Sequence, residues 1–285
     1  ALGMAGTQSS GVWAFLGDGS SCKILHPARA AADGIEAAFL ARAGMTGPEH
    51  IFEAKDGGLL TAMSDGGAIS QLSQGLGEVY EILNMDMKPY PCCRSAHCAI
   101  DGILEIREQM EKRMGLKIQN KPEAEILVQQ ISEIEIDTYL VGYKQCAVSD
   151  GCLHPKTILD AKFSTPYSVA AAFLYGSVGM EQFDPEVVLD PAVQKLLEKV
   201  RVRPLERFTE QYPKHWGCHV KVIMQDGTAY EAEVEDPSGS VARPLSRKQA
   251  MKKAEEFLSV VCPGREQKTI EELLNLESRE QLPII

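Results

Sequence analysis

The sequence has no apolar run long enough to cross a bilayer. Its longest stretch, 168–175, is closed by Gly176 and falls far short of the roughly 20 residues a spanning helix needs. It has no block of Lys or Arg: 29 basic side chains face 40 acidic ones, for a net charge of -11. That balance argues against nucleic acid or an anionic membrane as a partner. No signal peptide is expected, and the eight cysteines (22, 92, 93, 98, 146, 152, 218 and 262) show no disulfide-scaffold spacing. Reduced thiols in a cytoplasmic protein are therefore expected. An initiator Met is also lacking, and residues 2–5 read as the interior of an apolar helix, so the expectation is a chain that starts inside a domain.

What is present is an ordinary globular composition, 44% hydrophobic and 24% charged over 285 residues. Such a chain buries a large core in one or two domains and is expected to be soluble.

Residues 1–45 read as two closely packed helices with small side chains, the second an Ala-rich run over 28–43 stopped by Gly44. A short helix is expected from Thr46 to Gly57, and a helix or mixed segment over 69–83. Lys88-Pro89-Tyr90-Pro91 then forces an extended course, because proline fixes its own φ and restricts the residue before it. Beyond it, 95–114 is an amphipathic helix, with Ile100, Ile103 and Ile106 on one side and Glu105, Glu108 and Glu111 on the other. Residues 131–139 alternate as a half-buried strand, 164–176 is an apolar helix, and 191–200 is a second amphipathic one. The clearest hairpin spans 219–235 around Gln225-Asp226-Gly227, and Ser246 caps a charged helix that precedes a last one at 269–276. The order is helical, then α+β, then helical. It predicts a mainly α-helical domain (1–87 and 237–285) with an inserted smaller α+β lid domain (88–236).

Four stretches carry a family likeness: KILHPARAA at 23–31, KPYPCCRSAH at 88–97, AKFSTPYSVA at 161–170, and the C-terminal hairpin with its linker and helix. In this order and at these separations the chain resembles the MmgE/PrpD family of 2-methylcitrate dehydratases, cis-aconitate decarboxylases and iminodisuccinate epimerases, lacking that family's N-terminal part. The resemblance implies a helical domain with a lid, an active site between them, a homodimer, and cofactor-free chemistry on a small di- or tricarboxylate. Such chemistry builds negative charge on an already anionic substrate, so it needs fixed cations and a positioned acid or base. In a chain this acidic, the site must be a local cationic island.

Carried over by motif, Lys23, Lys88 and Tyr167 are the expected catalytic residues, joined by His97. Arg94, His26 and Cys93 are expected to bind substrate. The rigid Pro-Tyr-Pro segment would aim Lys88 at a helix N-terminus near Ser95, where the dipole adds positive character. Where cis-aconitate decarboxylases carry a histidine this chain has Cys93, which weakens the decarboxylase reading; a thiol of lowered pKa near a helix start is a second role for it. Each residue has an ordinary alternative. A boundary lysine is usually solvated, Tyr167 fits as a buried tyrosine bonded to backbone, His97 has Asp101 four residues on, and His26 suits a bond across packed helices. Cys92, Cys93, His97 and Cys98 lack a second Cys-x-x-Cys pair, which argues against metal. His50, His154, His215 and His219 have no constellation around them. The leading reading is a dehydratase-type lyase; the alternatives are an epimerase of a related dicarboxylate, or a fragment inactive without another chain.

Overall fold

In the computed structural model, which describes residues 1–17 and 20–278, the chain divides into two compact units, Ala1–Asn84 and Met85 onwards. The first holds α1 (Leu2–Thr7), the 18-residue α2 (Leu25–Arg42) and α3 (Leu59–Met63). Small residues set the packing here: a Cβ on Gly3 would sit 2.1 Å from the Pro48 carbonyl oxygen. Two expectations fail in this unit. Residues 46–57 are turns rather than a helix, and 69–83 holds only the 3₁₀ turns Ile69–Leu72 and Glu81–Asn84. Gly75 and Gly77, both at positive φ, break any longer helix between them.

The second unit opens with α4 (His97–Met114) and α5 (Lys121–Gln130), which lead into β1 (Ile131–Thr138). Then come α6 (Leu140–Cys146), α7 (Asp150–Leu153), α8 (Ile158–Lys162) and α9 (Thr165–Tyr175), followed by α10 (Pro185–Val188) and α11 (Pro191–Leu197). After β2 (Val200–Pro204) and α12 (Glu206–Gln211), the hairpin β3 (Cys218–Met224) and β4 (Ala229–Val234) precedes α13 (Arg247–Val261) and α14 (Glu266–Leu274).

The sheet runs β2-β1-β3-β4, with β1 parallel to β2 and antiparallel to β3. The period-2 alternation on β3 and β4 buries Val220, Val222, Tyr230 and Ala232 on one face and leaves Lys221 and Glu231 on the other. α4 covers the buried face: Ile100, Ile103, Ile106 and Met110 are fully enclosed, each stabilising the unit by about 1.5–3 kcal/mol. Close approach requires Gly102, where a Cβ would stand 2.8 Å from Val220 Cγ2. α9 is buried from Thr165 to Leu174; Ser164 caps it by accepting from the Tyr167 N–H, and Gly176 ends it in the left-handed region. Ser246 likewise caps α13, in a capping box with Gln249. The molecule is thus mostly helical with one small mixed sheet.

Candidate active site

Lys88 lies on the extended run before α4, and its Nζ donates to the Cys92 carbonyl at 3.2 Å. The carbonyl of Lys88 itself accepts from Lys253 Nζ, on α13, at 2.5 Å. Lys253 is half-buried, and its pKa is lowered by burial first and then by the charge of Lys88. Lys162, at the end of α8, is tied to the same place, because its carbonyl accepts from the Cys93 N–H at 2.8 Å. Among the described residues, no carboxylate pairs with Lys88, Lys162 or Lys253. Two ammonium groups, those of Lys88 and Lys253, therefore gather at the segment before α4 in a chain whose net charge is -11, while the Lys162 ammonium lies 5.7 Å from the Phe183 ring.

Arg94 is buried and committed. Its Nη2 donates to Asp86 at 2.7 Å, and its Nη1 reaches the Ser238 carbonyl at 3.1 Å and His97 Nδ1 at 3.2 Å. It acts as a strut joining the run before Lys88, α4 and the 236–243 loop. A second tie uses Asp101, which accepts from the Tyr90 hydroxyl and from the Ser238 N–H, both at 2.6 Å. Asp101 thus serves the loop rather than His97, contrary to the i,i+4 pairing that the spacing suggested.

His97 is fully buried, with its ring edge-to-face against Tyr90 at 5.1 Å. Its Nδ1 accepts from Arg94, which leaves the proton on Nε2, and Nε2 makes no hydrogen bond. Burial first, then the charges of Arg94 and Lys88, push its pKa down to about 3. A histidine in the unfolded chain titrates near 6.5, so below that pH the unfolded state takes up a proton that the folded state refuses. Stability is full above about pH 6.5 and falls as the pH drops towards 3, by up to about 1.4 kcal/mol per pH unit from this group. His97→Asn keeps an acceptor for Arg94 and has nothing to protonate. Unfolding free energies from urea titrations between pH 6.5 and 4 should therefore fall less steeply in the variant, by about 1 kcal/mol per pH unit. Parallel slopes would mean that His97 is not held neutral.

Cys93 starts the 3₁₀ turn Arg94–Ala96 that feeds α4. It is half-buried, whereas Cys92 is buried and its thiol is pushed up to about 12. The Cys93 thiol goes the other way, lowered to about 6: the Cys146 thiol is the largest cause, and the Ser95 amide and hydroxyl and the charge of Lys88 assist against the opposing effect of burial.

A model of the MmgE/PrpD C-terminal domain matches residues 90–277, and one of the MmgE/PrpD N-terminal domain matches residues 1–72. The chain belongs to the MmgE/PrpD family. Similar proteins include the cis-aconitate decarboxylase-like protein oryM of Aspergillus oryzae, 27% identical over 98% of this chain and 56% of its own length. Alkylcitrate dehydratase phiI of a fungal species is 26% identical over 86% of this chain and 47% of its own, and the cis-aconitate decarboxylase of Mus musculus 24% over 92% and 51%. The chain thus spans about half the length of the curated relatives it matches.

Of the residues expected at an MmgE/PrpD site, the second unit brings together Lys88, Cys93, Arg94 and His97. Tyr167, on α9, is fully buried, its hydroxyl donates to the Gln182 carbonyl, and its ring packs on Phe183. Burial raises its pKa. Lys23 and His26 belong to the first unit, where both flank Phe15, the ammonium 5.8 Å from the ring and the imidazole edge-on at 5.6 Å. Sequence reasoning missed Lys162, Lys253 and Cys146. Lys162 stood inside a quoted motif, but Lys253 is 165 residues from Lys88 and carries no local signal. It also missed that the hairpin sets His215 against Asp236 at 2.9 Å and Glu235 at 3.8 Å. None of the eight cysteines is in a disulfide, and no described helix is long and apolar enough to cross a membrane.

Proposed function

We propose that this protein is a cofactor-free lyase of the dehydratase type, acting on a small di- or tricarboxylate by removing a proton next to a carboxylate. The observation that carries the reading is the lysine cluster. Lys88 and Lys253 sit close enough for the charge of one to weaken the other's hold on its proton, so a carboxylate arriving there relieves repulsion as well as gaining two charge-assisted bonds. The same cations then face the negative charge that grows when the α-proton leaves, which is where fixed charge lowers a barrier. The relatives named for cis-aconitate and alkylcitrate point to the same substrate class.

Incubation with citrate, an alkylcitrate and cis-aconitate tests it, with alkene absorbance, CO₂ release and exchange of α-protons with D₂O followed together. Water elimination, seen as new alkene absorbance, supports the dehydratase reading. Exchange without net turnover would replace it by epimerisation, CO₂ release by decarboxylation, and silence on all three from folded protein would remove the enzymatic reading. Catalytic roles for Lys23 and Tyr167, a lid over 88–236 and a homodimer also belong to this proposal.

A further inference from the structure

The β3–β4 hairpin does more than close the sheet. Its strands pair antiparallel with Cys218 opposite Val234, so the residues just before β3 meet those just after β4 at the end away from the turn. That register puts His215 beside Glu235 and Asp236. His215 Nδ1 stands 2.9 Å from Asp236 Oδ2 and 3.8 Å from Glu235 Oε1, and the three donor atoms all lie within 4.8 Å of one another. Donors held at about 2.0–2.2 Å from a common ion stand about 2.8–3.6 Å apart at octahedral or tetrahedral angles. Two of the side chains are largely covered, at 13% exposure for Asp236 and 25% for His215, while Glu235 at 67% is free to swing the remaining distance.

An ordinary ion pair does not account for this arrangement. Both carboxylates face the same ring nitrogen, which carries at most one proton and hydrogen-bonds Asp236 alone. Among the described residues no Lys or Arg pairs with either carboxylate: Arg243 donates to the Asp236 backbone carbonyl and to Asp101, and Arg207 is taken by Glu233. Two carboxylates this close repel unless a cation lies between them.

The imidazole is also held in place from both sides. Tyr212 stacks on Tyr139 at 4.6 Å, and Trp216 lies edge-on to Tyr212 at 5.3 Å and to Tyr139 at 5.7 Å. The His215 N–H donates to the Gln211 carbonyl at 3.0 Å. Gly217 lets this turn close on the end of β4, since a Cβ there would stand 3.0 Å from Phe208 Cδ1 and 3.3 Å from the Glu235 carbonyl oxygen. Ligands fixed by packing bind without a further ordering cost.

We propose that His215, Glu235 and Asp236 form a binding site for a divalent transition-metal ion of the zinc and cobalt class, with water completing the coordination. One imidazole and two carboxylates suit such an ion, whereas calcium and magnesium take oxygen ligands alone. The ion replaces the Nδ1 proton, which is released to solvent, and neutralises the two carboxylates. Asp236 is the root of the loop whose Ser238 N–H binds Asp101 and whose Gly239 carbonyl binds the Met87 N–H, so a bound ion fixes that loop at its base. The site is separate from the carbon chemistry proposed above, and its test does not depend on it.

Co²⁺ is the probe, titrated into the full chain after treatment with EDTA and in the presence of excess Mg²⁺, because its visible spectrum reports its ligands. One ion per chain should bind saturably, without the sulfur-to-cobalt charge-transfer band that any of the eight thiols would add. Backbone hydrogen exchange should slow on binding at 215–217 and 235–239. His215→Ala and Asp236→Asn should each weaken binding by about 10²-fold or more, beyond the cost of losing an outer-shell partner, and His219→Ala on β3 should leave it unchanged. If His215→Ala does not fold, Glu235→Gln at the exposed ligand carries the test, with an expected loss of about 10-fold or more. Absence of saturable binding, a charge-transfer band marking cysteine, or a titration that Glu235→Gln or a folded His215→Ala leaves intact overturns the proposal.

Discussion

Lys88→Ala is expected to lower turnover of a di- or tricarboxylate by about 10²-fold or more while leaving the unfolding midpoint essentially unchanged. Removing one fixed cation at the point where charge develops costs about 2.7–4 kcal/mol of barrier in comparable oxyanion sites. Stability should not follow, because Lys88 is exposed and its single hydrogen bond to the Cys92 carbonyl is offset by repulsion from Lys253. Lys88→Arg keeps the charge but spreads it over a planar fork, so a partial recovery is expected. The measurement is kcat and KM for both variants beside their urea midpoints. Activity within a few-fold of the parent in Lys88→Ala would make Lys88 peripheral; a loss that tracks unfolding would make it structural.

The largest stability effect is expected at Gly239. Its φ is +76°, and a Cβ there would lie 1.9 Å from the Met87 carbonyl oxygen and 3.1 Å from Pro89 Cδ. The backbone leaves no slack, since the Met87 N–H donates to the Gly239 carbonyl at 2.8 Å and the Gly239 N–H to the Arg243 carbonyl at 2.7 Å. In Gly239→Ala the left-handed conformation therefore costs about 1–2 kcal/mol, and the hydrogen-bonded backbones on either side must also move apart. We expect a loss of about 3–5 kcal/mol, the range of severe single changes. Gly115→Ala is the matched control: φ is +65°, and nothing lies within 4 Å of the added Cβ, so only the conformational cost should appear. Because the displaced carbonyl precedes Lys88 by one residue, Gly239→Ala should also weaken substrate binding in whatever fraction folds. Equal midpoints for the two variants would show that the 236–243 loop yields and does not brace the site.

How much of the fold could be read in advance follows the range of the interactions involved. α4 was legible because its apolar residues recur at helical spacing, and Gly115 stops it in the left-handed region. The β3–β4 hairpin was legible because Gly227 supplies the positive φ its turn requires. Ser246 announced α13 through a cap that needs only residues three apart. Residues 46–57 and 69–83 misled, since their helical composition is interrupted by glycines whose conformation composition does not reveal. At the site, Lys88, Arg94, Cys93 and His97 were legible as neighbours on one short segment. What surrounds each was not: Arg94, expected to bind substrate, is committed to Asp86 and Ser238, while His97, expected to be catalytic, is held neutral by burial and by the charges of Arg94 and Lys88.

By itself, then, the sequence determined the family, the main helices of the second unit, the hairpin, and the short stretch from Lys88 to His97 on which the site is built, because each depends on contacts within a few residues or on a motif read in order. Only the tertiary structure decided which charges share that stretch. Lys253 arrives from 165 residues away, and Cys146 comes from a helix beyond β1. Electrostatic interaction and burial depend on distance through space, and folding sets that distance independently of separation along the chain.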